Sequence, residues 1–274
     1  MSEGPIKAAA QIISHANYAV AFTGAGISAE SGIPTFRDPG GIWDRFDPGE
    51  IGSSEGLMAF AMRHPGQIRD FLRESLATFK KAQPNPGHQG LCDLERMGIL
   101  KSVITQNIDA LHTIAGNTNV LEVHGNLYRF RCTSCGHLTN IPREEIMEQL
   151  GEVLEFETFT LDSLLAALPT CDKCSGMMRP DVVMFGEAVQ KMTESIFEAR
   201  RSDVIIILGT SGVVYPAAGV PFEGNKSNAQ VIEINSTENA FRGITDVYIR
   251  GLSGEAMPRI VDQVRELIAP LPVS

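Results

Sequence analysis

Thr23-Gly24-Ala25-Gly26-Ile27-Ser28-Ala29-Glu30-Ser31-Gly32-Ile33-Pro34-Thr35-Phe36-Arg37-Asp38 comes directly after the apolar run Tyr18-Ala19-Val20-Ala21-Phe22. A short apolar run ending in a glycine-rich turn reads as a buried strand that delivers its loop to a phosphate. Glycines let backbone N–H groups approach a pyrophosphate closely, and the next helix N-terminus faces the charge. Gly24, Gly26 and Ala29 fit the dinucleotide fingerprint G-x-G-x-x-G/A, a weak signal alone because short glycine patterns recur by chance. The residues after Gly32 depart from the usual pattern, in which a helix leads to a second strand ending in an acidic residue about 20 positions later. Here Ile33-Pro34-Thr35-Phe36-Arg37-Asp38-Pro39-Gly40-Gly41 interrupts the helix, and no apolar strand precedes Asp47 or Glu50. The phosphate cradle is there, but not the arrangement that holds a cofactor for hydride transfer.

Further apolar, β-branched runs at 100–105, 119–123, 203–208, 229–234 and 246–249 join 18–22 as strands buried on both faces. Helical patterns fit 6–14, 65–81, 88–96, 193–202 and 257–268. Alternation of this kind implies an α/β fold built on a doubly wound parallel sheet. Two segments break it: 42–81 reads as a helical insert, and 130–179 holds both cysteine pairs and reads as a separate module without a sheet strand. The expected organisation is a sheet domain from 1–41, 82–129 and 180–274, with 42–81 and 130–179 forming a small domain. Ligands of such sheets bind outside the carboxyl ends of the strands. The polar tails there, Thr23-Gly24-Ala25-Gly26, Gln106-Asn107-Ile108-Asp109, His124-Gly125-Asn126, Gly209-Thr210-Ser211 and Asn235-Ser236, should converge on one rim.

The 274 residues are 43% hydrophobic and 20% charged, enough for a substantial core. No apolar run approaches the roughly 20 residues of a membrane span, so no membrane partner is expected. Met1-Ser2-Glu3-Gly4-Pro5-Ile6-Lys7 lacks a basic region followed by an apolar one, and the default expectation is a cytoplasmic chain. A formal net charge of −10 argues against direct nucleic-acid binding. It is compatible with a lysine-bearing polypeptide substrate, or with no more than solubility. A monomer is the default.

Cys132-Thr133-Ser134-Cys135 and Cys171-Asp172-Lys173-Cys174 form a C-x2-C…C-x2-C set. Two such knuckles can place four thiolates around Zn²⁺, and four sulfurs close the shell, so the metal would be structural. The alternatives are chance cysteines or a redox pair. The 35 residues between the pairs exceed the 15–20 usual for a ribbon and leave room for a helix from Arg143 through Gln149 or beyond. His137 reads as solvated, and Cys92 and His112 as packing residues. Gln106-Asn107-Ile108-Asp109 suits ribose hydroxyls and an amide-bearing ring, and it equally suits a turn whose Asx side chains cap the next helix. His124, at a strand terminus beside a glycine, suits a general base near neutral pH. Gly209, Thr210 and Ser211 make a small hydroxyl-rich turn for a phosphate or ribose, and Asn235 and Ser236 offer polar groups for an adenine ribose.

Together these motifs closely resemble the sirtuins, the NAD-dependent protein deacylases. The matches are Gly24 to Ser28, Ser31 to Arg37, Thr105 to Asp109, Leu111-His112, Ala115-Gly116, His124-Gly125 and both cysteine pairs. They continue through Arg179 to Val183, Phe185-Gly186-Glu187, Gly209 to Ser211 and Glu233 to Asn235, in family order from about residue 6 to 268. The resemblance implies a Rossmann-like domain, a zinc-binding and helical small domain, and NAD and acyl-lysine meeting between them. NAD is then a consumed co-substrate. The segment 33–43, with Thr35, Phe36, Arg37 and Trp43, would close on it, Phe36 shielding the ribose face and Arg37 lying near the phosphates. Asn107 and Asp109 would orient the nicotinamide ribose and carboxamide, with Gln106 nearby. Gly24, Ala25 and Gly26 would hold the pyrophosphate, and Gly209, Thr210, Ser211, Asn235, Ser236 and Ser253 would line the adenosine half. The acyl oxygen would attack the ribose carbon as nicotinamide leaves, and His124 would then act as base on a ribose hydroxyl. Backbone from 183 to 187 (Val183, Phe185, Gly186, Glu187) and from 212 to 214 (ending at Val214) would add strands to the bound peptide.

Two departures bear on the substrate. The loop opening resembles the subgroup that includes desuccinylases, which carry a Tyr-x-x-Arg pair in the helical insert. Aligning Phe71 puts Leu72 and Ser75 at those positions. A neutral acyl group is therefore favoured, acetyl or a longer chain, with Leu72 making that side of the pocket more apolar. Ala188-Val189-Gln190 also replaces the usual Leu-Pro after Phe-Gly-Glu. The rival readings are protein ADP-ribosyl transfer and a non-catalytic module binding NAD or acyl-lysine; a zinc hydrolase fits poorly, since a closed four-cysteine site leaves no position for activated water.

Overall fold

The computed structural model describes residues 2–35, 41–155 and 159–269, apart from the side chain of Trp43. Among them the strands are β1 (Ala19–Thr23), β2 (Leu100–Thr105), β3 (Val120–Glu122), β4 (Gly125–Cys132), β5 (Leu138–Asn140), β6 (Met178–Val182), β7 (Val204–Leu208), β8 (Gln230–Asn235) and β9 (Val247–Arg250). Six of them form a parallel sheet in the order β3-β2-β1-β7-β8-β9. The other three form an antiparallel sheet in the order β5-β4-β6.

β1 and β7 sit at the centre of the large sheet, and every residue of both is buried. Helices cover both faces, which explains why these strands are continuously apolar rather than alternating. On one face Ile6, Leu91, Leu94, Met257 and Ile260 pack on Ala21, Ile206 and Leu208. These come from the helices Glu3–Ser14, Pro86–Arg96 and Ser253–Ile268. On the other face Phe22, Ile205 and Ile207 pack with Val220, Val231 and Phe241, the rings of Phe22 and Phe241 meeting edge to face at 6.1 Å. The chain winds outward from β1 through β2 to β3, then returns to β7 beside β1 and winds the other way. The reversal opens a crevice beyond the carboxyl ends of β1 and β7, the usual ligand position in such sheets.

The insert at 42–81 is helical, as expected, but divides into Ile42–Arg45, Pro48–Ile51, Ser54–Arg63 and Pro65–Lys81. Pro48 and Pro65 stand in first turns, where a missing N–H costs nothing. Asp47 and Ser53 cap the second and third helices through the amides of Gly49 and Gly56. Phe46, Ile51, Phe60 and Ile68 give the insert its own apolar centre. A helix, Arg143–Glu155, does occupy the space between the cysteine pairs.

Two expectations are corrected. The sequence predicts no sheet strand in the segment 130–179, yet the end of β4, all of β5 and the start of β6 lie in it. The signal is weak for physical reasons: β5 has three residues with Leu138 and Asn140 exposed, and β6 carries Pro180, a residue that ordinarily argues against a paired strand. The turn after β1 leads into a short 3₁₀ helix, Ala25–Ser31, not an α-helix, and Gly32 ends it with φ 85°. Among the described residues no helix is long and apolar enough to cross a membrane.

Candidate active site

The crevice is built from the turn after β1 pressed against the turn after β7. The Gly24 amide donates to the Leu208 carbonyl at 3.0 Å and the Gly26 amide to the Gly209 carbonyl at 2.8 Å. A Cβ on Gly26 would lie 2.7 Å from the Gly209 Cα, so backbone meets backbone with no room between. The two glycine amides are thus committed within the protein, and the glycines bring the two turns together. Ala25 lies between the two glycines, at the start of the 3₁₀ helix Ala25–Ser31.

Two strings of hydrogen bonds then assemble the rim. In the first, Asn107 Nδ2 donates to the Gly24 carbonyl and to Ser28 Oγ, both at 3.1 Å, and Ser28 Oγ donates to Asp109 Oδ2 at 2.7 Å. Asp109 Oδ1 accepts the Leu111 amide at 2.9 Å, so this carboxylate both caps the next helix and faces the site. Burial raises its pKa against the pull of the Leu111 amide and Ser28 hydroxyl. Behind Ser28 lies His88, whose Nδ1 accepts the Asn85 amide at 3.3 Å and whose Nε2 lies 3.5 Å from Ser28 Oγ. Burial lowers His88 to about 4, so it is a neutral ring here. From sequence, Ser28 ends the Gly24-to-Ser28 turn expected to hold the pyrophosphate, whereas His88 is assigned no place in the site. The clue to Ser28 is its position within the glycine-rich turn, but only the fold brings His88 to it. His112 is buried and bonds Thr23 Oγ1 at 2.9 Å, a packing histidine as expected.

In the second string, Gln106 Nε2 donates to Thr210 Oγ1 at 2.9 Å, and the Thr210 carbonyl accepts Asn235 Nδ2 and Asn239 Nδ2, each at 2.7 Å. Ser211 and Ser236 are exposed at the rim, while Ser253 is buried at the start of the last helix. His124 meets this string through Nδ1, 3.1 Å from the Gln106 carbonyl. A carbonyl only accepts, so Nδ1 carries the proton and Nε2 is left as a free base. Burial lowers the His124 pKa, partly offset by the Gln106 carbonyl.

Beyond β6, the amides of Val183, Met184, Phe185 and Glu187 donate to the His124 carbonyl, Glu187 Oε2, the Gly52 carbonyl and the Met184 carbonyl. Arg179 holds both Glu187 oxygens at 2.8 Å. Four amides of the expected peptide edge are therefore already bonded. Across from it, Val214 is half-buried between exposed Val213 and Tyr215. Thr35 is half-buried, its carbonyl accepting the Ile42 amide at 3.3 Å. Phe36, Arg37 and the Trp43 side chain lie outside the described residues.

The four cysteines of the small sheet form one cluster, with all sulfurs within 4.8 Å of one another. Cys132 and Cys174 sulfurs are 3.5 Å apart and those of Cys135 and Cys171 3.7 Å. A tetrahedral ZnS₄ centre with bonds of about 2.3 Å has edges of about 3.8 Å, so the sulfurs fit zinc. The amides of Ser134 and Lys173 point at the Cys132 and Cys171 sulfurs, each at 3.4 Å, as thiolates require.

The family description "Sir2 family" matches residues 24–216. The chain belongs to the Sir2 family. An "NAD-dependent protein deacylase" of Desulfosudis oleivorans is 50% identical over 97% of each chain. A crystal structure described as a Sir2 homolog–NAD complex superposes with a TM-score of 0.77 at 38% identity, covering 98% of this chain and 96% of that one. A Sir2 structure bound to a myristoylated histone peptide gives 0.71 at 36% identity, over 97% and 98%. Sir2 membership accounts for the departure at Ile33 that an ordinary dinucleotide-binding domain does not show.

If zinc holds the small module, stripping it with a strong chelator removes one zinc per chain and melts that module at lower temperature than the large sheet. An unchanged melting curve after verified metal loss would contradict this.

Proposed function

We propose that this chain is an NAD-dependent protein-lysine deacylase that moves the acyl group onto ADP-ribose, releasing nicotinamide, free lysine and an O-acyl-ADP-ribose. The observation that carries this reading is His124, with Nδ1 held by the Gln106 carbonyl and Nε2 free at the carboxyl rim of the sheet. Family membership supports it. So does a 50% identical relative named for that activity.

In this reading Asn107 and Asp109, locked to Ser28, present a fixed polar surface to the nicotinamide ribose, and Gln106 joins them to Thr210. Gly209, Thr210, Ser211, Asn235, Ser236 and Ser253 face the adenosine half, and Ala25 sits nearest the pyrophosphate. The segment with Thr35, Phe36, Arg37 and Trp43 closes over the ribose and phosphates. His124 takes the proton of a ribose hydroxyl as that oxygen attacks the acyl carbon. Such a base contributes about 10²–10⁴-fold. The acyl-peptide lies along 183–187 and 212–214. With the amides of Val183, Met184, Phe185 and Glu187 occupied, it pairs through carbonyls. Cys132, Cys135, Cys171 and Cys174 hold a structural zinc that cross-links the small module. The cytoplasm is the proposed compartment, in keeping with five cysteines that form no disulfide.

A cleft of about 90 Å³ beside the insert bears on the acyl group; Ile33, Ile42, Phe71, Ser75 and Phe79 line it. Leu72 packs instead with Phe46 and Phe60, so the apolar wall expected of it comes from Phe71 and Phe79. Among the described residues the guanidinium lining this cleft is Arg45, paired at 2.5 Å with Glu74. Its charge is already answered, which favours acetyl over succinyl. The apolar lining also favours a second reading, longer acyl chains, and a 36% identical relative binds a myristoylated peptide.

His124→Ala is expected to lower deacylation at least a hundredfold while NAD affinity, measured by calorimetry, stays within about threefold; unaltered turnover would remove the base. Because the base is the neutral ring and burial moves its pKa below 6.5, kcat/KM should rise with pH along an acid limb centred below 6.5 and be flat above it. A limb centred above 6.5 would contradict the assignment.

A further inference from the structure

Val123 and His124 alone separate the last residue of β3 from the first residue of β4. The large parallel sheet therefore passes into the small antiparallel sheet at the proposed base itself. The backbone of this joint is pinned on both sides. The Val123 amide donates to the Thr105 carbonyl at 3.0 Å, the Val123 carbonyl accepts the Gln190 amide at 2.9 Å, and the His124 carbonyl accepts the Val183 amide at 2.9 Å. Gly125 has φ 84°, and a Cβ there would sit 1.8 Å from the Asp181 carbonyl, so no other residue fits.

Side chains close a second clasp over the same joint. Asn126 Nδ2 donates to Glu122 Oε1 at 2.5 Å, spanning His124 from both flanks, while Asn126 Oδ1 accepts the Tyr128 amide at 2.7 Å. Arg129 donates Nη1 to Glu122 Oε2 at 2.9 Å, Nε to Asp181 Oδ2 at 2.6 Å and Nη2 to Gln190 Oε1 at 3.2 Å. Asp181 also takes Arg131 Nε at 2.7 Å and Gln190 Nε2 at 3.0 Å. The Asp181 side chain is 2% exposed and that of Glu122 12% exposed. Two carboxylates and two guanidiniums balance in this setting, and Arg129 spends its planar fork on three separate partners, a geometry lysine does not reproduce.

We propose that Glu122, Asn126 and Arg129 are positioning residues for His124. Their clasp fixes the His124 ring so that Nε2 stays on the ribose hydroxyl once the nicotinamide has gone. The proposal rests on the deacylase reading. Their side-chain hydrogen bonds run to one another, to Asp181, to Gln190 and to the Tyr128 amide, and each acts through His124. The energetic argument is geometric: a base displaced by about an ångström loses up to about a hundredfold in rate with its chemistry intact.

Asn126→Ala opens the clasp while leaving Arg129 with both carboxylates, and Glu122→Gln is isosteric but cannot accept from both Asn126 and Arg129. Either variant should lower kcat for deacylation about tenfold, with KM for NAD and for acetyl-peptide within about twofold. Exchange of labelled nicotinamide into NAD, which needs acyl attack and its reversal but no base, should continue near the wild-type rate. The ratio of exchange to deacylation therefore rises about tenfold. Exchange and deacylation falling together, or a ratio unchanged in both variants, would overturn the proposal while wild-type deacylation stands. A wild type that does not deacylate acetyl-peptide would overturn the function and this inference together.

Discussion

The approach of the Gly26 backbone to the Gly209 backbone holds the whole site in register. β1 and β7 are parallel neighbours at the point where the winding of the sheet reverses, and their turns would diverge if either carried a side chain there. With the turns locked, the Gly24 carbonyl lies where Asn107 reaches it, and Thr210 lies where Gln106 reaches it. Asn107 and Gln106 then carry Ser28, Asp109 and His124 into place. The glycines therefore act as a structural joint between the two turns.

Much of this frame is legible in the amino-acid sequence. Length and β-branching disclose β1, β2, β7 and β8, because strands buried on both faces need no alternation to be seen. The four cysteines are legible because thiolate spacing is a property of local chain. The small sheet is not. β5 is too short for a period, and β6 holds Pro180, which is tolerated because β6 lies at the edge of its sheet, a position the sequence does not disclose. His88 is equally hidden, since its meeting with Ser28 spans sixty positions of chain and depends on the helix Pro86–Arg96 docking under the rim. The turn Gln106 to Asp109 admits two readings from sequence; Asp109 meets the structural one, one oxygen accepting the Leu111 amide and the other the Ser28 hydroxyl, and the ribose-binding one belongs to the proposed function.

Electrostatics within the site follow burial. His88 and His124 are both pushed toward the neutral ring, and Asp109 toward the neutral acid, because few countercharges reach them. The formal charges gather instead one layer back, in the Glu122–Arg129–Asp181–Arg131 cluster at the junction of the sheets. A rim of neutral hydrogen-bonding groups beside a rigid, balanced ionic joint suits a reaction in which a bound pyridinium is lost as neutral nicotinamide and a neutral base then acts.

A deacylase of this kind breaks one bond of NAD for each acyl group it removes. That stoichiometry is open to measurement with a single peptide carrying acetyl-lysine or succinyl-lysine, incubated with NAD and the protein, with nicotinamide and deacylated peptide both quantified. Equal yields from the acetyl peptide, with little product from the succinyl peptide, are expected. Nicotinamide released in excess of deacylated peptide would show NAD hydrolysis or ADP-ribosyl transfer, and would contradict the deacylase mechanism.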